Sequence, residues 1–175
     1  MTYIQTAGRN YVDLADPDPD QIDIEDIAHG LANICRWVGH TRQFYSVAEH
    51  SLLCCDCADP EHALEALLHD AAEAYVGDVS TPLKAMLGPI YTDIEQRIDR
   101  AIRAKYGLPE RETLVVKRID QSLLTLELQD IFGAHANCAG VPRPKNVYGV
   151  RYYAPAVAEK AFLSRFWYLE GLRHA

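Results

Sequence analysis

The chain has no run of the roughly 18 apolar residues that a membrane-spanning helix needs, although 49% of its 175 residues are hydrophobic. Its opening stretch, MTYIQTAGRNY, lacks the basic and apolar regions of a signal peptide. The expectation is a soluble, cytoplasmic protein. Positive charge is also scarce: 17 Lys and Arg stand against 25 Asp and Glu, a net charge of -8. Gripping nucleic-acid phosphates takes clustered Lys and Arg, so nucleic acid is not expected as a partner, and nor is a membrane. A nucleotide substrate stays open, since one local basic cluster or a metal ion is enough. Cysteine is sparse, five in all, with Cys54, Cys55 and Cys57 crowded into CCDC. No C-x-x-C pair repeats at zinc spacing, and these thiols read as reduced, small residues compatible with a helix. There are no internal repeats, no low-complexity segments and no convincing strand pattern. One domain spanning residues 1–175, with one core, is expected.

Helical signals fill most of the chain. The opening TAGRNYVDLADPDPDQ reads as loop, rich in Asp, Pro and Gly. A helix is predicted from about Asp23, with Ile24, Ile27, Ala28, Leu31 and Ile34 at helical spacing. SVAE opens the next: Ser46 can cap the free amides and Glu49 can reach back, a capping box. Asp59-Pro60 starts a third helix, which runs through EHALEALLHDAAEAYV to Gly77. Thr81-Pro82 begins a short one. IYTDIEQRIDRAIRAKYG and ETLVVKRIDQSLLTLELQDIFG are longer, ending at Gly107 and Gly133. Residues 134–154 read as loop, with short extended pieces near VYGVRYY. PAVAEKAFLSRFWYLEGL closes the chain as a helix whose Phe162, Phe166, Trp167 and Tyr168 need cover from the core or from another subunit. The predicted fold is an all-α bundle of six or seven helices.

Some polar residues do not suit that apolar setting. His69 and Asp70 sit in a helix made apolar by Leu64, Leu67, Leu68, Ala71, Ala72 and Tyr75. An ionised Asp there costs a large desolvation energy unless it is paired or metal-bound. Glu73 can share their face. His50 lies in another apolar helix, VAEHSLLCC, and Asp120 in the middle of a third. Taken alone, His50 would be a core histidine and Asp120 an ion-pair partner of Arg118 or Lys117. Taken together, two imidazoles and two carboxylates suit a borderline divalent metal such as Zn, Mn, Co or Fe.

The order H…HD…D, carried by His50 in YSVAEHS, His69-Asp70 in LLHDAAEAYVGD and Asp120 in VKRIDQSLLTLE, resembles the HD-domain metal-dependent phosphohydrolases. The resemblance spans roughly residues 5 to 130 and is broadest with the small bacterial and phage branch that includes the 5′-deoxynucleotidases. Within that branch the chain is similar to the dATP triphosphohydrolases of phages that replace adenine with 2-aminoadenine, which would place it in the host cytoplasm.

That resemblance implies that His50, His69, Asp70 and Asp120 bind the catalytic metal (Zn, Co or Mn), that dATP is split into deoxyadenosine and triphosphate, and that dATP is thereby depleted from the pool. The alternative is a 5′-deoxynucleotidase acting on monophosphates. Glu73 would orient or deprotonate the water, and Asp78 would protonate the departing 5′-oxygen. Arg36-Trp37 matches an Arg-Trp pair of the branch, with Arg36 on phosphate and Trp37 against sugar or base. Lys84 is a second cation for the phosphate tail, and Pro82 belongs to a segment beside the motif that can wall the base. Arg42, Lys117 and Arg118 are weaker candidates. Glu95 and Glu127 lie on the two long helices, and either could be surface charge. Further divalent ions are expected with the triphosphate, because one metal and two basic side chains balance its charge poorly. The resemblance also implies a homo-oligomer, with a hexamer as the assembly its phage members suggest.

Overall fold

The computed structural model describes residues 2–133, 144 and 147–174. The chain is all-α, as expected, with one small hairpin: β1 (Tyr3–Gln5) pairs antiparallel with β2 (Tyr11–Asp13), Ile4 opposite Val12. Its turn and β2 lie where loop was predicted, and β1 just before it, where no strand was expected. Its strands are three residues long, too short for alternation to register against the surrounding Asp, Pro and Gly.

Helices follow as α1 (Ile24–Asn33), α2 (Val47–Cys57), α3 (Ala63–Leu68), α4 (Glu73–Val76), α5 (Thr81–Leu87), α6 (Pro89–Lys105), α7 (Leu114–Phe132) and α8 (Pro155–Arg173). The caps explain several starts. Asp23 accepts from the Glu25 amide, Ser46 from the Glu49 amide at 3.1 Å, and Thr113 from the Val116 amide. Each satisfies an amide that has no partner within its own helix. The Ser46 half of the expected capping box is present and the other half is not. The Glu49 carboxylate instead accepts the backbone amides of Arg151, Tyr152 and Tyr153 at 2.6, 3.1 and 2.7 Å. It thereby ties the approach to α8 onto α2. Residues 147–153 form no strand, and the expected loop over residues 134–143, 145 and 146 lies outside the described residues.

The single helix predicted from Asp59 to Gly77 is divided. Residues 60–62 form a turn, α3 starts only at Ala63, and a further turn separates it from α4. Amides 71, 73, 74 and 75 bond three residues back rather than four, so the backbone is wound more tightly there. The tightened stretch begins directly after His69-Asp70.

Buried apolar residues of α1, α2, α3, α6 and α8 make one continuous core around Ile27, Leu31, Leu67, Ile98, Ile102, Phe162 and Phe166. A second cluster, with Tyr45, Leu53, Cys54, Val116, Leu123 and Leu126, packs α7 against α2. On α8, the core covers Phe162 and Phe166, while Trp167 and Tyr168 stay exposed. Among the described residues no helix is long and apolar enough to cross a membrane.

Helix α4 lies hard against α1. A β-carbon on Gly30 would stand 2.9 Å from the Ala74 β-carbon and 3.1 Å from its α-carbon. Gly30→Ala must therefore push α4 outward, at a cost of about 1–3 kcal/mol by analogy with overpacked cores. Urea unfolding is expected to show that loss. An unchanged midpoint would mean the two helices part freely.

Candidate metal centre

Helix geometry sets the centre. His50 lies in the first turn of α2, fully buried, and His69 follows the last residue of α3. Their Nε2 atoms face each other at 3.2 Å. The hydrogen bonds on the far side of each ring decide what those atoms carry. His50 Nδ1 lies 2.6 Å from Glu127 Oε1, and His69 Nδ1 lies 2.9 Å from the Ala66 carbonyl. An ionised carboxylate and a carbonyl can only accept, so both Nδ1 atoms hold hydrogen. In neutral rings both Nε2 atoms then present lone pairs to one point. Two lone pairs at this distance repel unless a proton or a cation lies between them.

The carboxylates complete the focus. Asp120, on α7, places Oδ1 3.2 Å from His50 Nε2 and 3.9 Å from His69 Nε2. Asp70 places Oδ2 3.2 Å from His69 Nε2 and 3.6 Å from His50 Nε2. Donors about 2.1 Å from one ion stand roughly 3.0–3.4 Å apart in octahedral or tetrahedral geometry. The shorter separations match that range, and the longer ones need only small side-chain adjustments. The structure thus brings together His50, His69, Asp70 and Asp120, and this donor set fits a divalent ion. It also adds a residue that the sequence reading took for a bland thiol: Cys54, one turn after His50, belongs to a group with His50, His69 and Asp120 that could hold a metal ion.

Glu127 corrects the sequence reading more sharply. Expected on the surface, it is fully buried. Its carboxylate accepts from Tyr45 Oη at 2.6 Å and Arg36 Nη2 at 3.0 Å, besides His50 Nδ1. Burial alone would raise its pKa, but Arg36 and His50 outweigh burial and hold it down to about 2. A carboxylate behind a ligating imidazole fixes the ring's tautomer and orientation. The available signal was spacing: Glu127 lies seven residues after Asp120, two turns along the same face of α7.

A cavity of about 550 Å³ opens onto this centre, lined by Arg36, Trp37, Asp70, Glu73, Asp78, Pro82, Lys84 and Asp120, among others. Glu73, Asp78, Arg36, Trp37, Lys84 and Pro82, the main catalytic and substrate-binding residues singled out from the sequence, therefore meet in one place, while the weaker candidates Arg42, Lys117 and Arg118 are not among its lining residues. Gln121, Leu124 and Phe132 of α7 line it as well, and nothing in the sequence had marked them. Arg36 lies 3.5 Å from Asp70 as well as against Glu127. Trp37 packs edge-on to Phe132 at 5.2 Å, and its buried indole N–H has no partner among the described residues. Trp37 and Val38 both adopt left-handed backbone, φ 59° and 54°. For a β-branched residue that conformation is a genuine outlier, held here at the cavity wall.

Lys84 is less free than expected. Its Nζ bonds Glu95 Oε1 at 2.6 Å and stands 3.8 Å from Glu73. Glu95 is thus a partner of the site rather than plain surface charge. Burial pushes the Glu73 carboxyl well above its ordinary value, with Asp70 and Asp78 adding to the effect. Asp78 is raised too, chiefly by burial against the opposing pull of Arg36. Asp70 goes the other way: His69, His50 and Arg36 overcome burial and hold its carboxyl far below the usual range.

No family model matches the chain. It is 40% identical over 177 residues to the uncharacterized protein YfdR of Escherichia coli, covering 99% of this chain and 98% of that one. It is 40% identical over 173 residues to the uncharacterized protein RCAP_rcc00048 of Rhodobacter capsulatus, covering 88% of each. Identity at that level across nearly the whole of both chains shows common descent, and the chain belongs to the family of YfdR.

Proposed function

We propose that the chain is an HD-type metal-dependent phosphohydrolase of deoxynucleotides, with dATP as substrate and deoxyadenosine and triphosphate as products. One observation carries the hydrolytic reading: two Nε2 atoms, backed by two carboxylates, face one spot on the wall of a nucleotide-sized cavity that also holds Arg36 and Lys84. The preference for dATP rests on the sequence resemblance.

When bound at this spot, a divalent cation polarises a phosphoryl oxygen and makes hydroxide available near neutral pH. His50, His69, Asp70 and Asp120 would hold it, with Zn, Co or Mn suiting the donors. Arg36 orients the phosphate, and its charge favours the anion entering beside Asp70. Glu73 lies one turn after the ligand pair, with one carboxylate oxygen buried and without a hydrogen-bond partner among the described residues. It receives the proton of the attacking water, and burial, with Asp70 and Asp78, raises its affinity for that proton. Asp78, raised for the same reason, gives a proton to the departing 5′-oxygen. Lys84 meets the outer phosphates by exchanging part of its bond with Glu95. Further divalent ions arriving with the triphosphate would offset the remaining charge.

The test is incubation of the purified protein with each dNTP and with dAMP, adding Co²⁺, Zn²⁺, Mn²⁺ or Mg²⁺ in turn and separating the products. The expected result is deoxyadenosine plus intact triphosphate from dATP, with the other dNTPs spared. Orthophosphate from dAMP with dATP ignored would instead assign a 5′-deoxynucleotidase. No hydrolysis with any metal would end the reading.

A further inference from the structure

Four of the five cysteines lie among the described residues, and their surroundings differ. Cys35 faces the Thr41 hydroxyl, Cys55 faces Arg165, and Cys57 is half-buried at the end of α2. Cys54 alone faces the metal centre. It is fully buried, and its Sγ stands 3.6 Å from His50 Nε2 and 3.8 Å from His69 Nε2. A thiolate about 2.3 Å and an imidazole about 2.1 Å from one five- or six-coordinate ion lie roughly 3.1–3.8 Å apart at ligand angles of about 90–120°. The sulfur therefore stands where a ligand would, against both lone-pair nitrogens at once. One S–H group could satisfy only one of those nitrogens, whereas a shared cation satisfies both and the sulfur too.

We infer that Cys54 is a thiolate ligand of the ion, added to the two histidines and two aspartates, and that it makes the centre selective for thiophilic metals. This rests on the metal reading given above. The thiol proton leaves to solvent as the sulfur binds the cation. Helical geometry makes the ligand available without further cost in structure: residues 50 and 54 are one turn apart on the same face of α2. A thiolate with two carboxylates carries one negative charge more than a dication neutralises, and Arg36, 3.5 Å from Asp70, lies where it can offset that excess. A sulfur donor shifts preference toward Zn²⁺ and Co²⁺ and away from Mg²⁺ and Mn²⁺, which favour oxygen.

The experiment is absorption spectroscopy of chelator-stripped full-length protein titrated with Co²⁺ alone. Wild type is expected to show the visible bands of bound Co²⁺ together with a near-ultraviolet sulfur-to-cobalt charge-transfer band. Cys54→Ser and Cys54→Ala are expected to keep the visible bands and lose the charge-transfer band, while Cys57→Ser keeps both. In competition titrations, Zn²⁺ affinity should fall in Cys54→Ser by on the order of tenfold more than Mn²⁺ affinity. Visible bands without charge transfer in wild type would overturn the inference and leave the metal centre standing. Persistence of the charge-transfer band in both Cys54 variants would overturn it as well. If no Co²⁺ binds at all, the metal reading itself falls and takes the inference with it.

Discussion

His69→Gln is expected to abolish both the hydrolytic rate and the thermal response to metal. His69 supplies one of the two facing Nε2 atoms, and glutamine has no ring nitrogen to replace it. A ligand that binds only the folded state stabilises it by about 2.7 kcal/mol at 100 times its dissociation constant. For a chain of this size that raises the melting temperature by roughly 5–10 °C. Wild type should show a shift of that order on adding Zn²⁺ to stripped protein and lose it with chelator, whereas His69→Gln should show little of it. The rate of dATP hydrolysis should fall at least about a thousandfold, which corresponds to roughly 4 kcal/mol of transition-state stabilisation. Scanning calorimetry with and without Zn²⁺, beside product assays, measures both. A wild-type protein whose melting ignores Zn²⁺ and chelator has no metal centre. A variant that keeps the shift binds its ion elsewhere.

The sequence made some features legible and hid others for physical reasons. Asp23, Ser46 and the Thr81-Pro82 pair marked helix starts because a cap acts within a few residues of itself. His50, His69, Asp70 and Asp120 stood out because charged or ionisable side chains are costly on apolar helices unless they have a partner. The tightened turns after His69 carried no Gly or Pro to announce them. Tertiary packing of α4 against Gly30 accompanies the break instead, and the single helix read from Asp59 was too simple. Cys54 was missed because cysteine is an ordinary core residue, and only its distance to the two rings sets it apart. Glu127 was missed because a glutamate on a long helix usually faces water. Its four-group network depends on Tyr45 and Arg36, more than 80 residues away in sequence, so local pattern offered only its seven-residue spacing from Asp120 and none of its partners.

That network is the basis of the second large effect. Glu127→Gln keeps the shape of the side chain and removes its charge. The carboxylate accepts from three donors: the His50 ring, the Tyr45 hydroxyl and the Arg36 guanidinium. A glutamine amide offers one acceptor oxygen and turns an NH₂ group toward donors. Arg36, mostly buried, is left with the more distant Asp70 as its counter-charge. Breaking a buried charge pair by removing one partner costs about 3–5 kcal/mol, and the carboxyl pKa held down to about 2 expresses the same attraction. The melting temperature of stripped protein should therefore fall by roughly 6–20 °C. Zn²⁺ affinity should fall about 10–100-fold, because the His50 ring loses the acceptor that orients it. Leu128→Ala, one residue along α7 at a half-buried position, removes no polar group, and should leave Zn²⁺ affinity unchanged whatever it does to stability. Calorimetry of stripped protein and Zn²⁺ titration separate the two effects. If Glu127→Gln melts like wild type and binds Zn²⁺ as tightly, the carboxylate neither supports Arg36 nor aims His50. A drop in stability with unaltered Zn²⁺ affinity would leave Glu127 as Arg36's counter-ion alone, and the orientation of His50 would then rest on the packing of α2 against α7.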